Sequence, residues 1–128
     1  MKLLLDTHTA LWWVNEHGTL SSKTNALLSD DSHLLYISIV SAWEIAIKAS
    51  LGKLYDFDGG VKEFLAEMEI NPIVFLPVRK GHVEMVETLP FHHRDPFDRL
   101  LIATAMVEDM TIITADESIR KYGVPWIW

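Results

Sequence analysis

The stretch KLLLDTHT, residues 2–9, decides the fold. Its three consecutive leucines form a short apolar run without alternation, which is typical of a strand buried on both faces. In the segment that follows, Leu11 and Val14 lie three residues apart, which predicts a helix that ends near Gly18. A buried strand that leads directly into a helix indicates a mixed α/β domain, and an acid, Asp6, lies at the junction.

Short apolar runs alternate with helical segments along the rest of the chain. Strands are predicted over 34–39 and 110–114, with an extended edge segment between Pro72 and Pro77 and a last strand in the ending VPWIW. Further helices are predicted from Ser21 or Ser22 to Leu28, and over 40–52, 60–69, 80–88, 96–108 and 117–121. Because no hairpin signal separates the strands, the connections are crossovers, and we expect a mainly parallel sheet with helices on both faces.

The composition favours one globular domain over residues 1–128. Apolar residues make up 49% of the chain, and the lack of cysteine excludes a disulfide scaffold and a thiolate zinc site. Asp6 interrupts the apolar opening too early for a signal peptide, and no run approaches the ~20 apolar residues of a membrane helix. We therefore expect a cytoplasmic protein without a membrane partner.

The net charge of −7 comes from 18 acidic and 11 basic residues. This negative charge is the opposite of the basic surface that nucleic-acid-binding proteins usually carry. It fits an acidic cluster that a cation or a basic partner neutralises, and it also fits ordinary solubility. Charge alone therefore leaves the partner open.

Four acids lie where a parallel sheet would gather them. Asp6 follows the first strand, Asp116 follows a late strand, Glu44 lies early in one helix, and Asp98 lies in the first turn of another. Because sites in open parallel sheets form beyond the carboxyl ends of the strands, these side chains can share one edge. The simpler alternative is that Asp6 and Asp116 are helix N-caps and that Asp98 only favours a helix start.

The segment DPFDR, residues 95–99, illustrates both possibilities. Asp95 fits the N-cap, and Pro96 then takes the first helical position, where its missing N–H costs nothing. Asp98 becomes the third helical residue, a favourable place for an acid. We interpret Asp95 as the cap and Asp98 as a side chain that turns into the cleft.

Glu44 is harder to explain as an acid on a helix surface. Its helical neighbours include Val40, Trp43 and Ile47, and a glutamate on so apolar a helix shifts its pKa or finds a cation. The alternative is an ion pair with Lys48 one turn further on, which contributes roughly 0.3–0.5 kcal/mol when exposed. We favour a functional role for Glu44.

Carboxylates that converge on one edge repel each other, so some must hold protons unless a divalent ion neutralises them. Mg²⁺ and Mn²⁺ prefer carboxylate and water oxygens, and the chain lacks the paired histidine spacing typical of zinc sites. We expect most of the scattered histidines to be exposed: His8, His17, His33 and His82. An ion held by few protein ligands keeps positions open for phosphate oxygens and water, which predicts metal-assisted phosphodiester hydrolysis.

Four blocks of the chain resemble the PIN-domain ribonucleases, and within them the VapC toxins of bacterial type II toxin–antitoxin pairs. The blocks are LLLDTHTALWW (3–13), SIVSAWEIAIKASLGKL (38–54), LPFHHRDPFDRLLIATA (89–105) and TIITADESI (111–119). The H-x-D-P-F-D-R stretch at 93–99 is specific to one branch of that family. Thr104 departs from the branch, which has a glutamine at this position.

The resemblance implies a three-layer α/β/α fold with a central parallel sheet, and an endoribonuclease that depends on Mg²⁺ or Mn²⁺. The family's catalytic and metal-binding acids carry over onto Asp6, Glu44, Asp98 and Asp116. Asp6 and Asp98 are the first candidates for direct ligands, and Thr7 and Thr114 would orient carboxylates or bound water. The resemblance also implies a homodimer, a small antitoxin protein as partner, and RNA products with 5′-phosphate and 3′-hydroxyl ends.

An acidic protein needs local cations to hold RNA phosphates. The candidates are Lys48, Lys53, Arg79, Lys80, Arg94 and Arg99, although each could instead be solvated or paired with an acid. We favour Lys48 and Arg99 as substrate contacts, and His93 either contacts the substrate or supports its loop. Base stacking is a possible role for the tryptophans, but we expect core or interface packing for Trp12, Trp13, Trp43, Trp126 and Trp128.

Three other functions remain open. A phosphatase with a nucleophilic aspartate would also place an acid after a buried strand, but its usual second aspartate is replaced by His8. A receiver-like regulatory domain gathers acids at strand ends, but it needs a lysine after a late strand, and TIITAD offers none. The third is an RNA-binding module whose acids are only helix caps. Metal-dependent RNA cleavage distinguishes the nuclease from all three.

Overall fold

Five strands and seven helices form the described part of the chain. The structure is a computed structural model that describes residues 1–16, 18–55 and 57–128. The strands are β1 (Lys2–Leu5), β2 (Leu34–Ser38), β3 (Ile73–Leu76), β4 (Thr111–Ile113) and β5 (Trp126–Ile127). The helices are α1 (Thr7–Val14), α2 (Ser22–Leu28), α3 (Ile39–Ser50), α4 (Gly60–Ile70), α5 (Lys80–Thr88), α6 (Pro96–Glu108) and α7 (Glu117–Arg120).

The strands pair in the order β3-β2-β1-β4-β5, and every neighbouring pair is parallel. Leu5, the last residue of β1, is in register with Ile37 of β2 on one side and Ile113 of β4 on the other. The chain proceeds outward from β1 to β3 and then returns to the other side of β1. The carboxyl ends of β1 and β4 therefore flank the point where strand order reverses, the usual place for a site in such sheets.

The two faces of the sheet bury two separate apolar clusters. Leu3 and Leu5 of β1 lie in the cluster formed with helices α1 to α4, whereas Leu4 lies in the cluster formed with α5 to α7. This alternation follows from the two-residue period of a strand. It explains why β1 contains only leucines at these positions, since each full burial contributes about 1.5–3 kcal/mol. The predicted three-layer α/β/α architecture with a parallel sheet is confirmed.

The helix starts agree closely with the sequence. The Oδ1 atom of Asp95 accepts hydrogen bonds from the N–H groups of Phe97 and Asp98, at 2.8 and 3.3 Å, so the predicted cap is confirmed. Ser21 caps α2 in the same way, through the N–H of Thr24 at 3.0 Å. None of the helices in the described ranges is long and apolar enough to cross a bilayer; α6, the longest, has 13 residues.

One helix end was predicted too late. We expected α1 to end near Gly18, but it ends at Val14. Asn15 is its C-cap, and Glu16 has a φ of 51°, in the left-handed region where a helix cannot continue. Glutamate is not a residue that signals a left-handed conformation, so the sequence pointed to Gly18 as the end of the helix.

The expectation that most histidines are exposed is wrong for His82, which is completely buried. Its Nδ1 atom accepts a hydrogen bond from the N–H of Arg79 at 3.1 Å, and its Nε2 atom lies 2.7 Å from Oε1 of Glu108. His82 therefore ties the start of α5 to the end of α6. His33 is half-buried, His8 is exposed, and His17 lies outside the described residues.

The tryptophans divide into two groups. Trp12, Trp13 and Trp128 pack against the cluster under α1 to α4, as expected. Trp43 and Trp126 are instead 61% and 42% exposed, so neither is a core residue. For these two tryptophans, packing in an interface stays a prediction, because their apolar sequence neighbours point to other faces of the same helix or strand.

Candidate metal centre

Asp6 lies at the centre of the sheet edge where β1 and β4 end. Its side chain is 4% exposed. The Oδ1 atom accepts a hydrogen bond from the N–H of Thr9 at 2.8 Å, and the Oδ2 atom accepts one from the Thr114 hydroxyl at 2.6 Å. Asp6 is thus the N-cap of α1 and also part of the cleft, so the two explanations of this acid are compatible.

Glu44 reaches the same edge from α3 and is 2% exposed. Its Oε1 atom accepts a hydrogen bond from the Thr7 hydroxyl at 2.8 Å, and its Oε2 atom lies 2.6 Å from Nζ of Lys48. Burial lowers the pKa of Lys48, but the hydrogen bond and the charge of Glu44 outweigh it and raise the pKa overall. The structure therefore pairs Lys48 with Glu44, and the Lys48 side chain remains 37% exposed.

His93 joins the two remaining acids. Its Nε2 atom lies 3.0 Å from Oδ2 of Asp98 and 3.1 Å from Oδ2 of Asp116. Its Nδ1 atom accepts a hydrogen bond from the backbone N–H of Asp95 at 3.1 Å, which leaves the ring proton on Nε2. Asp116 meanwhile caps α7, because its Oδ1 atom accepts from the N–H of Ser118 at 2.7 Å.

The electrostatics show that these acids share one space. Burial raises the pKa of Asp98 to about 8, and the charges of Asp95, Asp6, Glu44 and Asp116 add to this shift. Burial also raises the pKa of Asp6, although the hydrogen bonds from Thr114 and Thr9 oppose it. The structure therefore brings together all four acids that the sequence singled out.

The donor set suits a hard divalent cation. One nitrogen or oxygen atom each from His93, Asp98 and Asp116 lies within 4.8 Å of the others, and the two carboxylates are the donors, because the ring proton occupies Nε2 of His93. Carboxylate oxygens are the donors that Mg²⁺ and Mn²⁺ prefer, and a cation would relieve the repulsion that adds to the effect of burial on the pKa of Asp98. The residues present fit such an ion.

Thr7 and Thr114 lie where the resemblance placed them, each beside an acid. The Thr114 hydroxyl donates to Asp6 and accepts from the N–H of Asp116 at 3.0 Å, so it links two of the acids. The Thr7 hydroxyl lies 2.8 Å from Glu44 and 2.9 Å from the hydroxyl of Ser41. Both threonines fix the orientation of a carboxylate.

Arg99 does not have the expected role of a phosphate contact. It is 6% exposed, and its Nη1 atom donates to the carbonyl of Pro90 at 2.8 Å and to the Tyr122 hydroxyl at 3.1 Å. Its Nη2 atom donates to the carbonyls of Val86 and Leu89, both at 3.3 Å. These donors are occupied within the fold, so Arg99 fastens the loop before α6 and the earlier expectation is corrected.

The other basic candidates are spread around the molecule. Arg79 lies 3.6 Å from Glu108, the last residue of α6. Glu108 is about 15 Å along that helix from Asp98, so Arg79 lies far from the acids. Lys80 follows Arg79 directly and lies at that same distant end. Arg94 is exposed and directly follows His93, the residue whose ring contacts Asp98 and Asp116.

Sequence reasoning missed Tyr122. Its hydroxyl accepts a hydrogen bond from the N–H of His93 at 2.9 Å and another from Arg99. It thereby holds the loop that presents His93 to the acids. His93 and Tyr122 are 29 residues apart, and no periodicity or motif links them in the sequence.

The comparisons with known proteins agree with this geometry. Residues 3–125 match the family model described as PIN domain. Ribonuclease VapC22 of Mycobacterium tuberculosis is 26% identical over 126 residues, which cover 96% of this chain and 93% of that protein.

Solved structures share the fold. The VapBC2 structure from Rickettsia felis, bound to a promoter DNA fragment, matches with a TM-score of 0.73 and 14% identity, over 99% of this chain and 98% of the other. The DNA-bound VapBC structure from Salmonella typhimurium matches with a TM-score of 0.68 and 16% identity, over 100% and 97%. The four acids, the parallel sheet that gathers them and the family match over residues 3–125 lead to one conclusion: the chain belongs to the PIN-domain family.

Proposed function

We propose that this chain is an endoribonuclease that depends on Mg²⁺ or Mn²⁺ and acts as the toxin of a toxin–antitoxin pair. The convergence of the acids carries the proposal: burial raises the pKa of Asp98 to about 8, and the charges of the neighbouring acids raise it further, a conflict that a bound cation would relieve. Family membership supports it, since metal dependence is a general property of PIN-domain ribonucleases. The ribonuclease name of the Mycobacterium tuberculosis relative supports the reaction type.

The proposed ligands are Asp6 and Asp98, with Glu44 and Asp116 binding directly or through water. When bound, the ion would supply positive charge for the phosphate oxygens and would make a water molecule a better nucleophile toward phosphorus. The threonine hydroxyls fix the acids before substrate arrives, which removes the cost of ordering them during the reaction. His93 keeps Asp98 and Asp116 close together.

Substrate contacts are proposed at His93, at Lys48 and at Arg94. The Lys48 side chain is 37% exposed, so its charge can reach a phosphate while it remains paired with Glu44. Arg94 takes the place of Arg99 because it is exposed beside His93. This small number of cations suits a protein of net charge −7 that binds RNA weakly outside its cleft.

The proposed partners are a small cognate antitoxin and a second copy of the chain. The structural neighbours are VapBC complexes, which supports an antitoxin. Ile39 and Trp43 lie four residues apart on α3 and are 44% and 61% exposed, which supports a homodimer through this helix. We place this single PIN domain, residues 1–128, in the cytoplasm, where RNA and a newly made antitoxin would meet it.

The phosphatase alternative is weakened by the state of Asp6. Both of its carboxylate oxygens accept hydrogen bonds, and the side chain is 4% exposed, which is a poor arrangement for a nucleophile. The alternative in which the acids are only helix caps does not explain Glu44, which lies within α3 and caps no helix.

The function is tested by incubating the purified chain with RNA in Mn²⁺, in Mg²⁺ and in EDTA. We expect cleavage only with metal, with 5′-phosphate ends on the products. Asp98→Asn should lower the cleavage rate at least 100-fold, because it keeps the shape of the side chain and removes its charge. Asp109→Asn is the matched control: this acid ends the same helix, and asparagine tolerates its left-handed conformation.

Cleavage in EDTA, or equal cleavage by wild type and Asp98→Asn, would contradict the proposal. Release of phosphate from p-nitrophenyl phosphate without RNA cleavage would favour the phosphatase instead. Toxicity is tested by brief expression in a bacterial host: wild type should arrest growth and Asp98→Asn should not. Arrest by both variants would point to another cause.

A further inference from the structure

A cavity of about 230 Å³ opens beside the acids. Its wall residues are Asp6, His8, Trp12, Ala115 and Asp116. Asp6 and Asp116 belong to the acidic cluster, so the cavity is continuous with the candidate metal centre. The remaining walls are two aromatic rings and a methyl group, and none of them has a role in the metal chemistry described above.

The two rings lie side by side and are tilted relative to each other. His8 and Trp12 lie one helical turn apart on α1, with ring centroids 5.7 Å apart and an angle of 39° between the planes. His8 is exposed, whereas Trp12 is partly buried. Trp128 packs edge-on against Trp12, with centroids 5.7 Å apart and an angle of 61°. This contact restrains the Trp12 ring, which lowers the entropy cost of using it as a binding surface.

The charges around the cavity restrict what it can bind. None of the five wall residues is a lysine or an arginine, so the only positive charge for a phosphate here would come from the ion on the acidic side of the cavity. Lys48 is paired with Glu44, and the guanidinium of Arg99 is occupied within the fold. An uncharged planar ring needs no cation on the opposite, aromatic side of the cavity and gains by stacking there.

We propose that this cavity binds the base of a nucleotide next to the scissile phosphate, stacked on His8 and Trp12. The inference rests on the proposed ribonuclease function, which brings RNA to the adjoining acids. Stacking tolerates any base, because every base has a π face, so the subsite contributes affinity and fixes the strand in the cleft. It also explains how an acidic protein with few available cations can retain RNA.

The test uses a fluorescent 12-nucleotide single-stranded RNA that contains a cut site mapped with the wild type. His8→Ala should raise the KM for this RNA about five- to tenfold and leave kcat within twofold, since the ring contributes to binding alone. His8→Phe should restore the KM because it keeps an aromatic face. Tyr55→Ala is the matched control, an aromatic residue that is 83% exposed and lines no part of the cavity.

A second experiment removes one base from the RNA and keeps the His8 ring of the protein. Abasic nucleotides placed in turn on each side of the cut should weaken wild-type binding about fivefold at one position. At that position the loss caused by the abasic nucleotide should be smaller in His8→Ala than in the wild type, because one of the two rings that the base contacts is gone. Affinity is read by fluorescence anisotropy in EDTA, and Mn²⁺ affinity should be unchanged in every His8 variant.

The outcomes separate this inference from the proposed function. If the wild type cuts no RNA yet His8→Ala weakens RNA binding, the ribonuclease proposal fails and the subsite stands. If His8→Ala binds and cuts the RNA as the wild type does, the subsite is wrong and the ribonuclease proposal stands. Failure of His8→Phe to restore the KM overturns the stacking role. Loss of a copurified antitoxin with unchanged RNA binding would assign the cavity to the protein partner instead.

Discussion

The Nε2 atom of His93 lies 3.0 Å from the Oδ2 atom of Asp98. The same nitrogen lies 3.1 Å from Asp116, and the opposite ring nitrogen accepts a hydrogen bond from the N–H of Asp95. One N–H group thus bridges two carboxylates that would otherwise repel each other. In the absence of a divalent ion, His93 supplies part of the stabilisation that a cation would supply.

Removing the bridge should destabilise the metal-free protein. We expect His93→Ala to lower the free energy of unfolding by about 1 kcal/mol at pH 9, where Asp98 is ionised, because two partly buried carboxylates lose their shared donor. Urea unfolding in EDTA measures this loss. His92→Ala is the control, since its ring packs edge-on against Tyr122 at 5.1 Å. Equal losses in both variants would show that the bridge has no special role.

The raised pKa of Asp98 predicts how stability depends on pH without metal. An unfolded aspartate loses its proton near pH 3.8, whereas folded Asp98 keeps its proton up to about pH 8. Between these values the folded state holds the extra proton, so the free energy of unfolding falls as pH rises, by up to about 1.4 kcal/mol per pH unit. Above about pH 8 the decline from this group ends.

Asp98→Asn should flatten that decline. Unfolding of both proteins in urea and EDTA, at intervals from pH 5 to pH 9, gives the two curves. The prediction fails if the curves of wild type and Asp98→Asn run parallel over this range.

The hydroxyl of Thr114 should matter more for activity than for stability. Thr114→Val keeps the shape and removes the hydrogen bond to Asp6, so we expect RNA cleavage to fall about 10- to 100-fold. Thr104→Val is the matched control: this threonine is also buried, but its hydroxyl donates to the carbonyl of Leu100, at 2.7 Å. Similar melting temperatures with unequal cleavage rates would support the account, and equal rates would contradict it.

Arg99 should prove to be a stabilising residue. We expect Arg99→Lys to cost about 2–4 kcal/mol of unfolding free energy, because lysine cannot reach several carbonyls and the Tyr122 hydroxyl at once. The salt dependence of RNA binding should not change in this variant. Arg94→Ala should show the reverse. Its stability should be unchanged, and the slope of the logarithm of RNA affinity against the logarithm of salt concentration should be smaller in magnitude by about one. A smaller salt slope in Arg99→Met, which removes the charge that lysine keeps, would restore Arg99 as a phosphate contact.

Much of the fold could be predicted because the strands are buried on both faces. The consecutive leucines of β1 predict a buried strand over residues 2–5. The helix over 96–108 is predicted by its N-cap, Asp95. The errors lie where local signals are weak. Glu16 ends α1 through a left-handed conformation that glutamate rarely adopts, and His82 is buried through contacts with α6 that lie 26 residues away.

The convergence of the four acids could be predicted from the sequence, because the strand ends of a parallel sheet share an edge. The side chains that surround each acid could not be predicted in this way. Arg99 follows Asp98 directly, yet one helical step turns it toward Tyr122 and away from the cleft. His93 lies five residues before Asp98 in the chain, and only the folded loop brings its ring between two acids.

Calorimetric titration of Mn²⁺ into metal-free wild type and Asp98→Asn at pH 7.5 tests the central claim, that the acids bind a divalent cation. We expect wild type to bind Mn²⁺ and to release a proton from Asp98, so the apparent heat should differ between buffers of different ionisation enthalpy. Asp98→Asn should bind at least tenfold more weakly and release no proton. Equal, weak binding by both proteins without proton release would contradict the account.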